Sequence, residues 1–266
     1  MGERVYNPFD ILKFIKSDFI FDNYWWESGN SFALIELLKK GDYYIPSLEN
    51  LKTDETLLNS FDIEKLQLES LLFQAGYLTI NKVIQKRNRR SEYTLKTPNL
   101  EVQISLNNLI INYLTKEVNL DIQDNVEETL ENGDLDNFKE TLHSLFAGIP
   151  YNNYTKNRIA RVEGYWASLI YCYLAGSGLK LIAEDVTNSG RIDLTIIVND
   201  NIYVLEFKVQ KPKAKSQKPK ALEQIKQKKY HQKYLNPTNY SLYLIGIEFS
   251  ESERNIVEFE WERVEN

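Results

Sequence analysis

Three ionisable residues interrupt two apolar segments in the second half of the chain. Asp193 lies in the first segment, and Glu206 and Lys208 lie in the second, beyond a short polar turn. Buried strands rarely carry charged groups, because removing a charge from water is costly unless the charge is paired or bound to a metal. Two carboxylates and a lysine that point the same way can hold a hard divalent cation and stabilise a phosphate. The three residues are therefore candidates for a metal-assisted hydrolytic site.

The spacing of these residues predicts how they converge. Glu206 and Lys208 are two positions apart, so they share one face of a strand. If Asp200-Asn201 forms a two-residue turn, Asp193 falls opposite Lys208, and opposite residues of an antiparallel pair point to the same face. Two alternatives remain open: Asp193 as a solvated residue at a strand start, and Glu206 with Lys208 as a cross-strand ion pair on an exposed sheet face.

Composition excludes several other kinds of site. The chain has 266 residues, of which 42% are hydrophobic, so one large or two modest domains are expected. The single cysteine, Cys172, rules out a disulfide framework and a cysteine-based zinc site, and two histidines are too few for a histidine metal cluster. The sequence contains no apolar segment of about 18 residues that would span a membrane and no N-terminal signal pattern. We expect a cytoplasmic protein.

Charge is distributed very unevenly along the chain. The net charge is -6, but residues 208–233 contain ten lysines and one acid, which gives +9 there and -15 elsewhere. Such an uneven charge distribution can attract phosphate to one face of an acidic protein. A solvated lysine-rich loop and helix face is the alternative interpretation. The candidate nucleic-acid contacts are Arg191, Lys211, Lys213, Lys215, Lys218 and Lys220.

The first 118 residues are predicted to form a mainly helical domain. Apolar spacing predicts helices over residues 9–16, 31–40 and 62–74. Alternating residues then predict strands over 77–80 and 93–96, joined by a basic loop. Helices followed by a two-stranded basic wing resemble a winged-helix domain, which can dock on DNA or contact a protein partner.

Residues 119–266 are predicted to form a second domain with mixed helices and strands. A helix over 155–174 precedes a strand over 179–186 and the two apolar segments that carry the ionisable residues. A helix over 221–234 and late strands over 241–249 and 256–261 follow. The predicted order is one helix, three strands, one helix and two further strands.

The residues around the three charged positions resemble a known active site. Gly190-Arg191-Ile192-Asp193, twelve further residues and then Glu206-Phe207-Lys208 are similar to the active-site hairpin of the PD-(D/E)XK nuclease superfamily. A closer resemblance, over nearly the whole chain, is to bacterial proteins in which an AAA-like ATPase region precedes such a nuclease domain. Tyr6-Asn7-Pro8-Phe9, Ile149-Pro150-Tyr151 and Ala221-Leu222-Glu223-Gln224-Ile225 contribute to it. The sequence lacks a Gly-x-x-x-x-Gly-Lys-Ser/Thr phosphate loop, so nucleotide hydrolysis is not expected.

The resemblance implies a fold and a role for each site residue. The fold is α/β (α+β overall), with a restriction-endonuclease-like core preceded by the winged-helix-like domain. Asp193, Glu206, Glu163 and the backbone carbonyl of Phe207 would bind Mg²⁺ or Mn²⁺. Lys208 would orient water or stabilise negative charge at phosphorus, and Gln224 would contribute from the later helix. Glu163 and Gln224 have a simpler alternative as solvent-facing helix residues.

These observations predict a metal-dependent nuclease that acts on nucleic acid, with DNA favoured over RNA. A catalytically silent nucleic-acid-binding or regulatory module on a nuclease fold is the main alternative, because a fold does not determine an activity. A protein-interaction scaffold is a third hypothesis. A homodimer and a protein partner at the N-terminal domain are also left open.

Overall fold

The structure is a computed structural model that divides into two compact units. The first unit comprises Met1–Tyr43 and Ser47–Leu109, and the second comprises Tyr44–Pro46 and Ile110–Asn266. The predicted domain boundary at residue 118 lies outside the described residues and stays a prediction. The structure describes residues 8–20, 34, 44–48, 50–55, 67–86, 90–115, 121–149, 163–210, 220–235 and 240–264.

The first unit contains short helices and a small antiparallel sheet. Within its described residues the strand order is β1 (Lys52–Asp54), β3 (Ser91–Lys96) and β2 (Thr79–Gln85). The hairpin of β2 and β3 was predicted from alternation, but β2 extends to Gln85, into residues that were predicted as the basic loop. The short strand β1 was not predicted. The predicted helix over 31–40 lies, apart from Leu34, outside the described residues, and the winged-helix assignment stays a prediction. The elements are α1 (Pro8–Lys16), β1 (Lys52–Asp54), α2 (Leu68–Gln74), β2 (Thr79–Gln85) and β3 (Ser91–Lys96).

Helix α3 (Leu100–Thr115) begins in the first unit and ends in the second, and a 3-10 turn (Ile45–Leu48) likewise has residues in both. In the second unit, the described strands form one sheet in the order β4 (Lys180–Thr187), β5 (Gly190–Val198), β6 (Asn201–Gln210), β7 (Ser241–Ser250) and β8 (Asn255–Val264). Among these strands only β6 and β7 pair in parallel, and helix α7 (Ala221–Lys228) lies between them in sequence. The elements are α4 (Asp121–Glu131), α5 (Leu135–Ala147), α6 (Glu163–Gly176), β4 (Lys180–Thr187), β5 (Gly190–Val198), β6 (Asn201–Gln210), α7 (Ala221–Lys228), a 3-10 helix (Tyr230–Tyr234), β7 (Ser241–Ser250) and β8 (Asn255–Val264).

This order confirms the predicted mixed α/β core, with one helix, three strands, one helix and two further strands. Strands that are apolar on both faces must be covered on both sides. Helix α6 covers one face, where Trp166 stacks on Phe249 of β7 at 4.8 Å between ring centroids. Helix α7 covers the other, where Ile225 packs with Val204 of β6 and Leu244 of β7. No helix in the described ranges has the length and apolarity needed to cross a membrane.

Helix α7 approaches the sheet closely at Gly246 of β7. A Cβ atom placed on Gly246 would lie 2.3 Å from the backbone nitrogen of Leu222, which is far inside van der Waals contact. Any larger residue at this position would therefore push α7 away from the sheet. This close packing matters for the site, because α7 carries Gln224.

The β5–β6 turn differs from the prediction by one residue. Val198 pairs with Asn201, so the turn residues are Asn199 and Asp200 rather than Asp200 and Asn201. Asn199 adopts a left-handed conformation (φ 44°), which asparagine tolerates. The side-chain amide of Asn201 donates to the backbone carbonyls of Leu130 and Glu131 at the end of α4, at 3.0 and 2.8 Å. These bonds hold Asn201 in the strand, and local turn propensity does not encode them.

The predicted helix over 221–234 is also corrected. Its α-helical part ends at Lys228, because Lys229 adopts a left-handed conformation (φ 53°). Residues Tyr230–Tyr234 then continue as a 3-10 helix. The change of helix type redirects this segment and places Tyr230 among the buried residues next to the sheet.

Candidate active site

Asp193 lies where the regular pairing between β5 and β6 ends. The last regular pair on this side is Leu194 with Leu205, so the next positions on the two strands are Asp193 and Glu206. The predicted pairing of Asp193 with Lys208 is therefore wrong. The Asp193 carboxylate accepts a hydrogen bond from the backbone N–H of Phe207 at 2.8 Å. A side chain of β5 thus takes the place of a backbone acceptor for this N–H of β6.

Glu206 is almost fully buried beside Asp193. Its side chain is 4% exposed, and one carboxylate oxygen, Oε1, accepts a hydrogen bond from the side-chain amide of Gln224 on α7. The other oxygen, Oε2, is also buried. A buried carboxylate needs hydrogen-bond donors or a cation to offset its lost hydration. The structure therefore brings together three predicted residues: Asp193, Glu206 and Gln224.

Tyr230 of the 3-10 helix connects these residues, and the sequence analysis assigned it no role. Its phenol is hydrogen-bonded to the Gln224 side chain and to the backbone of Arg191. Burial raises the pKa of Tyr230 above its ordinary value, and the nearby charges of Glu206 and Asp193 raise it further. The phenol therefore stays protonated near neutral pH, and it lies within electrostatic range of both carboxylates.

Gly190, the first residue of the Gly-Arg-Ile-Asp motif, makes room for Tyr230. A Cβ atom on Gly190 would lie 2.8 Å from the Tyr230 hydroxyl oxygen. The backbone of Gly190 also has φ 147°, a conformation that other residues rarely adopt. Two features therefore favour glycine at position 190: its backbone conformation and the space that the Tyr230 phenol occupies.

Lys208 lies on β6 two residues beyond Glu206 and is half-buried. Its partner in the parallel register is Glu248 of β7. Glu248 is itself buried and accepts hydrogen bonds from the backbone N–H of Ala221 at 3.2 Å and from the side chain of Gln210 at 2.9 Å. The lysine therefore lies on the same strand as Glu206, next to a buried acid that also contacts the start of α7.

The remaining predicted site residues are Glu163 and the basic residues. Arg191 forms an ion pair with Glu184 of β4, and its side chain remains 64% exposed. Lys220, at the start of α7, forms ion pairs with Glu258 and Glu260 of β8, and the hydrogen bond that it donates to Glu258 raises the pKa of Lys220. Glu163 is the first residue of α6, and its side chain is not among those that the structure describes. Lys211, Lys213, Lys215 and Lys218 lie outside the described residues.

A buried polar cluster on β4 was also missed. Asp185 is 4% exposed and accepts hydrogen bonds from Thr195 at 2.9 Å, from the Tyr234 hydroxyl and from Lys233. This cluster attaches the 3-10 helix that carries Tyr230 to strands β4 and β5. An acidic pair, Glu184 and Asp185, inside a predicted strand was the available signal, by the same argument that singled out Asp193.

The architecture and these residues define a nuclease-like domain, and comparison with known proteins gives the same class. Residues 161–259 match the family model of the PD-(D/E)XK nuclease superfamily. The chain therefore carries a domain of this superfamily. Asp193, Glu206, Lys208 and Gln224 all fall within the matched residues.

The chain is also similar to a curated protein of Azotobacter chroococcum mcd 1, described as an uncharacterized protein in the vnfD 5' region. The two are 39% identical over 261 residues, which is 97% of this chain and 49% of that protein. The chain thus spans about half the length of this relative. No solved structure matches the chain.

The residues at the site fit a hard divalent cation. Asp193 and Glu206 could supply carboxylate oxygens, and Phe207, the residue after Glu206 on β6, could supply its backbone carbonyl. Within the described ranges, no group of three or more His, Cys, Asp and Glu residues is arranged to hold a metal. Mg²⁺ is commonly held through one or two carboxylates together with waters and substrate phosphates, so two carboxylates are a sufficient protein contribution.

Proposed function

We propose that this protein is a metal-dependent nuclease that hydrolyses phosphodiester bonds of nucleic acid, with DNA favoured and Mg²⁺ or Mn²⁺ as cofactor. The observation that carries the proposal is the adjacent placement of Asp193 and Glu206 at the end of the β5–β6 pairing. The superfamily match over residues 161–259 supports the same reaction class. The cytoplasm is the proposed compartment.

Asp193, Glu206 and the Phe207 carbonyl would hold the cation, and Glu163 would add a carboxylate from α6. When bound, the cation would neutralise phosphate charge and help to activate the attacking water. Lys208 would stabilise the negative charge that develops at phosphorus and orient that water. The Gln224 amide, which donates to Glu206, would keep this carboxylate turned toward the site.

Nucleic acid would be held by the basic residues around this site. The exposed guanidinium of Arg191 has five N–H donors, so it can keep its ion pair with Glu184 and still contact a phosphate. Lys211, Lys213, Lys215 and Lys218 follow directly after β6 in sequence and would contact the phosphate backbone. The winged-helix-like region over residues 1–118 would bind DNA or a protein partner.

A catalytically silent nucleic-acid-binding module is the alternative. One observation favours it: the Gln224 amide already contacts Glu206, so this carboxylate has a protein partner at Oε1. A silent module would bind nucleic acid in a salt-dependent manner and leave it intact. Cleavage that requires a divalent cation would exclude this alternative.

The proposal is tested with labelled single- and double-stranded DNA and RNA, incubated with Mg²⁺, Mn²⁺ or chelator. We expect cleavage with the cations alone and its loss in Asp193→Ala and Glu206→Ala. Lys208→Ala should keep Mn²⁺ affinity and lower kcat by about 10² to 10³, the effect of losing one preorganised charge stabiliser. Lys139→Ala is a matched control, because Lys139 is a half-buried lysine on α5.

Two results would contradict the assignment. Full cleavage in chelator would show that no divalent cation is needed. Full cleavage by Asp193→Ala would show that the β5–β6 site does not carry the reaction. Binding without cleavage of every substrate, under both cations, would instead support the silent module.

A further inference from the structure

A segment far upstream of the superfamily match contributes to the site. Tyr44–Pro46 belongs to the second compact unit, although most of the preceding chain belongs to the first. Ile45 is 5% exposed, and its backbone N–H donates to the Ser168 hydroxyl of α6 at 3.1 Å. The segment is therefore attached to the helix that covers one face of the sheet.

This attachment brings the Tyr44 side chain to the strands that carry the site. The Tyr44 hydroxyl donates a hydrogen bond to the carboxylate of Glu184 and lies within electrostatic range of Asp193 and Arg191. Burial raises the pKa of Tyr44, and the charges of Glu184 and Asp193 raise it further. The phenol is therefore neutral and remains a hydrogen-bond donor throughout the neutral and mildly alkaline range.

Glu184 occupies an unusual position on β4. Its neighbours pair regularly, Ala183 with Leu194 and Asp185 with Ile192, so the position opposite Glu184 is Asp193. Glu184 itself has φ 53°, a left-handed conformation that glutamate seldom adopts inside a strand. Two contacts hold its side chain, the ion pair with Arg191 and the hydrogen bond from Tyr44.

We propose that Tyr44 is a positioning residue of the nuclease site. Its hydrogen bond fixes Glu184, and Glu184 in turn fixes Arg191 and the stretch of β5 that carries Asp193. The inference rests on the proposed function, because it concerns the same site. It adds that the site is incomplete without a segment outside residues 161–259. A neutral phenol suits this role, since it satisfies one carboxylate without adding a charge next to Asp193.

Loss of the Tyr44 hydroxyl should loosen the Asp193 side of the site. Glu184 would keep its ion pair with Arg191 but lose the donor that fixes its orientation. Outer partners that orient metal ligands typically change metal affinity or activity by about 10- to 100-fold. Because Tyr44 acts through Glu184, we expect an effect at the lower end, about tenfold.

The test measures Mn²⁺ binding by titration calorimetry, with no substrate present, for the full chain and for Tyr44→Phe, Glu184→Ala and the double variant. We expect Tyr44→Phe to raise the Kd for Mn²⁺ about tenfold. The double variant should be no worse than Glu184→Ala alone, because each change removes the hydrogen bond between Tyr44 and Glu184. Tyr203→Phe is the matched control: it also removes a buried phenol hydrogen bond, to the Leu130 carbonyl at 2.5 Å, and its Mn²⁺ affinity should stay unchanged.

The outcomes separate the inference from the proposed function. A wild-type protein that binds no Mn²⁺ would contradict the proposed function itself. A wild-type protein that binds Mn²⁺, with Tyr44→Phe binding it equally well and cleaving nucleic acid at the same rate, would overturn the role of Tyr44. Equal losses of Mn²⁺ affinity in Tyr44→Phe and Tyr203→Phe would show a general packing effect and would also overturn it.

Discussion

The carboxylate of Asp193 accepts a hydrogen bond from the backbone N–H of Phe207 at 2.8 Å, and this contact links the structure of the site to its chemistry. It occurs where the backbone pairing of β5 and β6 has ended after Leu194 and Leu205. Asp193 therefore has two roles that can be separated by substitution. One is structural, as an acceptor for a backbone donor, and the other is the proposed role of a charged oxygen ligand.

Asp193→Asn and Asp193→Ala should differ in stability but not in activity. The asparagine carbonyl can still accept from Phe207, whereas alanine leaves this N–H unsatisfied at a cost of about 1–3 kcal/mol. Neither side chain supplies a carboxylate, so both variants should lose cleavage and Mn²⁺ binding. Urea unfolding measures the stability and calorimetry the binding. Equal stabilities of the two variants would argue against the structural role.

Gly246→Ala should destabilise the protein strongly. Its Cβ atom would lie 2.3 Å from the Leu222 nitrogen, and a backbone atom cannot move aside as a flexible side chain can. We expect a loss of about 2–4 kcal/mol in the free energy of unfolding, together with reduced activity, because α7 carries Gln224. Gly148→Ala is the control, since its nearest contact would be an ordinary 3.4 Å and its φ is -73°. A stability near wild type for Gly246→Ala would refute the close packing.

The four lysines that follow β6 should contribute to nucleic-acid affinity more than Lys220 does. Lys220 is already paired with Glu258 and Glu260, so a phosphate would have to displace these carboxylates. Replacing Lys211, Lys213, Lys215 and Lys218 with serine should lower the slope of log K against log salt by about 0.9 for each duplex phosphate that the protein no longer neutralises. Lys220→Ser alone should leave the slope nearly unchanged. A larger change for Lys220→Ser than for the fourfold variant would reverse this assignment.

Stability should fall in alkaline solution because buried tyrosines resist ionisation. Burial raises the pKa of Tyr203 above its ordinary value of 10.0, so at higher pH the unfolded chain ionises while the folded protein stays neutral. The stabilisation is complete below pH 10 and declines above it, by up to about 1.4 kcal/mol per pH unit for each such group. Tyr203→Phe should therefore show a shallower decline between pH 10 and 11 in urea unfolding. An unchanged slope would show that Tyr203 ionises equally in both states.

Much of the core could be predicted from the sequence because its signals are local. Two apolar runs separated by a polar turn predicted β5 and β6, and the charged residues inside the runs identified Asp193, Glu206 and Lys208 as the chemically unusual positions. The order of helices and strands followed from apolar patterns and turn residues along the chain. These features depend on neighbouring residues within one strand or helix, so a single sequence contains them.

The register and the completion of the site were decided by tertiary contacts. The turn shifted by one residue because Asn201 donates to carbonyls at the end of α4. Glu184 takes its left-handed conformation where Arg191 and Tyr44 hold it, and Tyr44 lies far earlier in the chain. The hydrogen bonds from Asn201 and Tyr44 join segments that are distant in sequence, and no local pattern of residues encodes which distant donor will meet which acceptor.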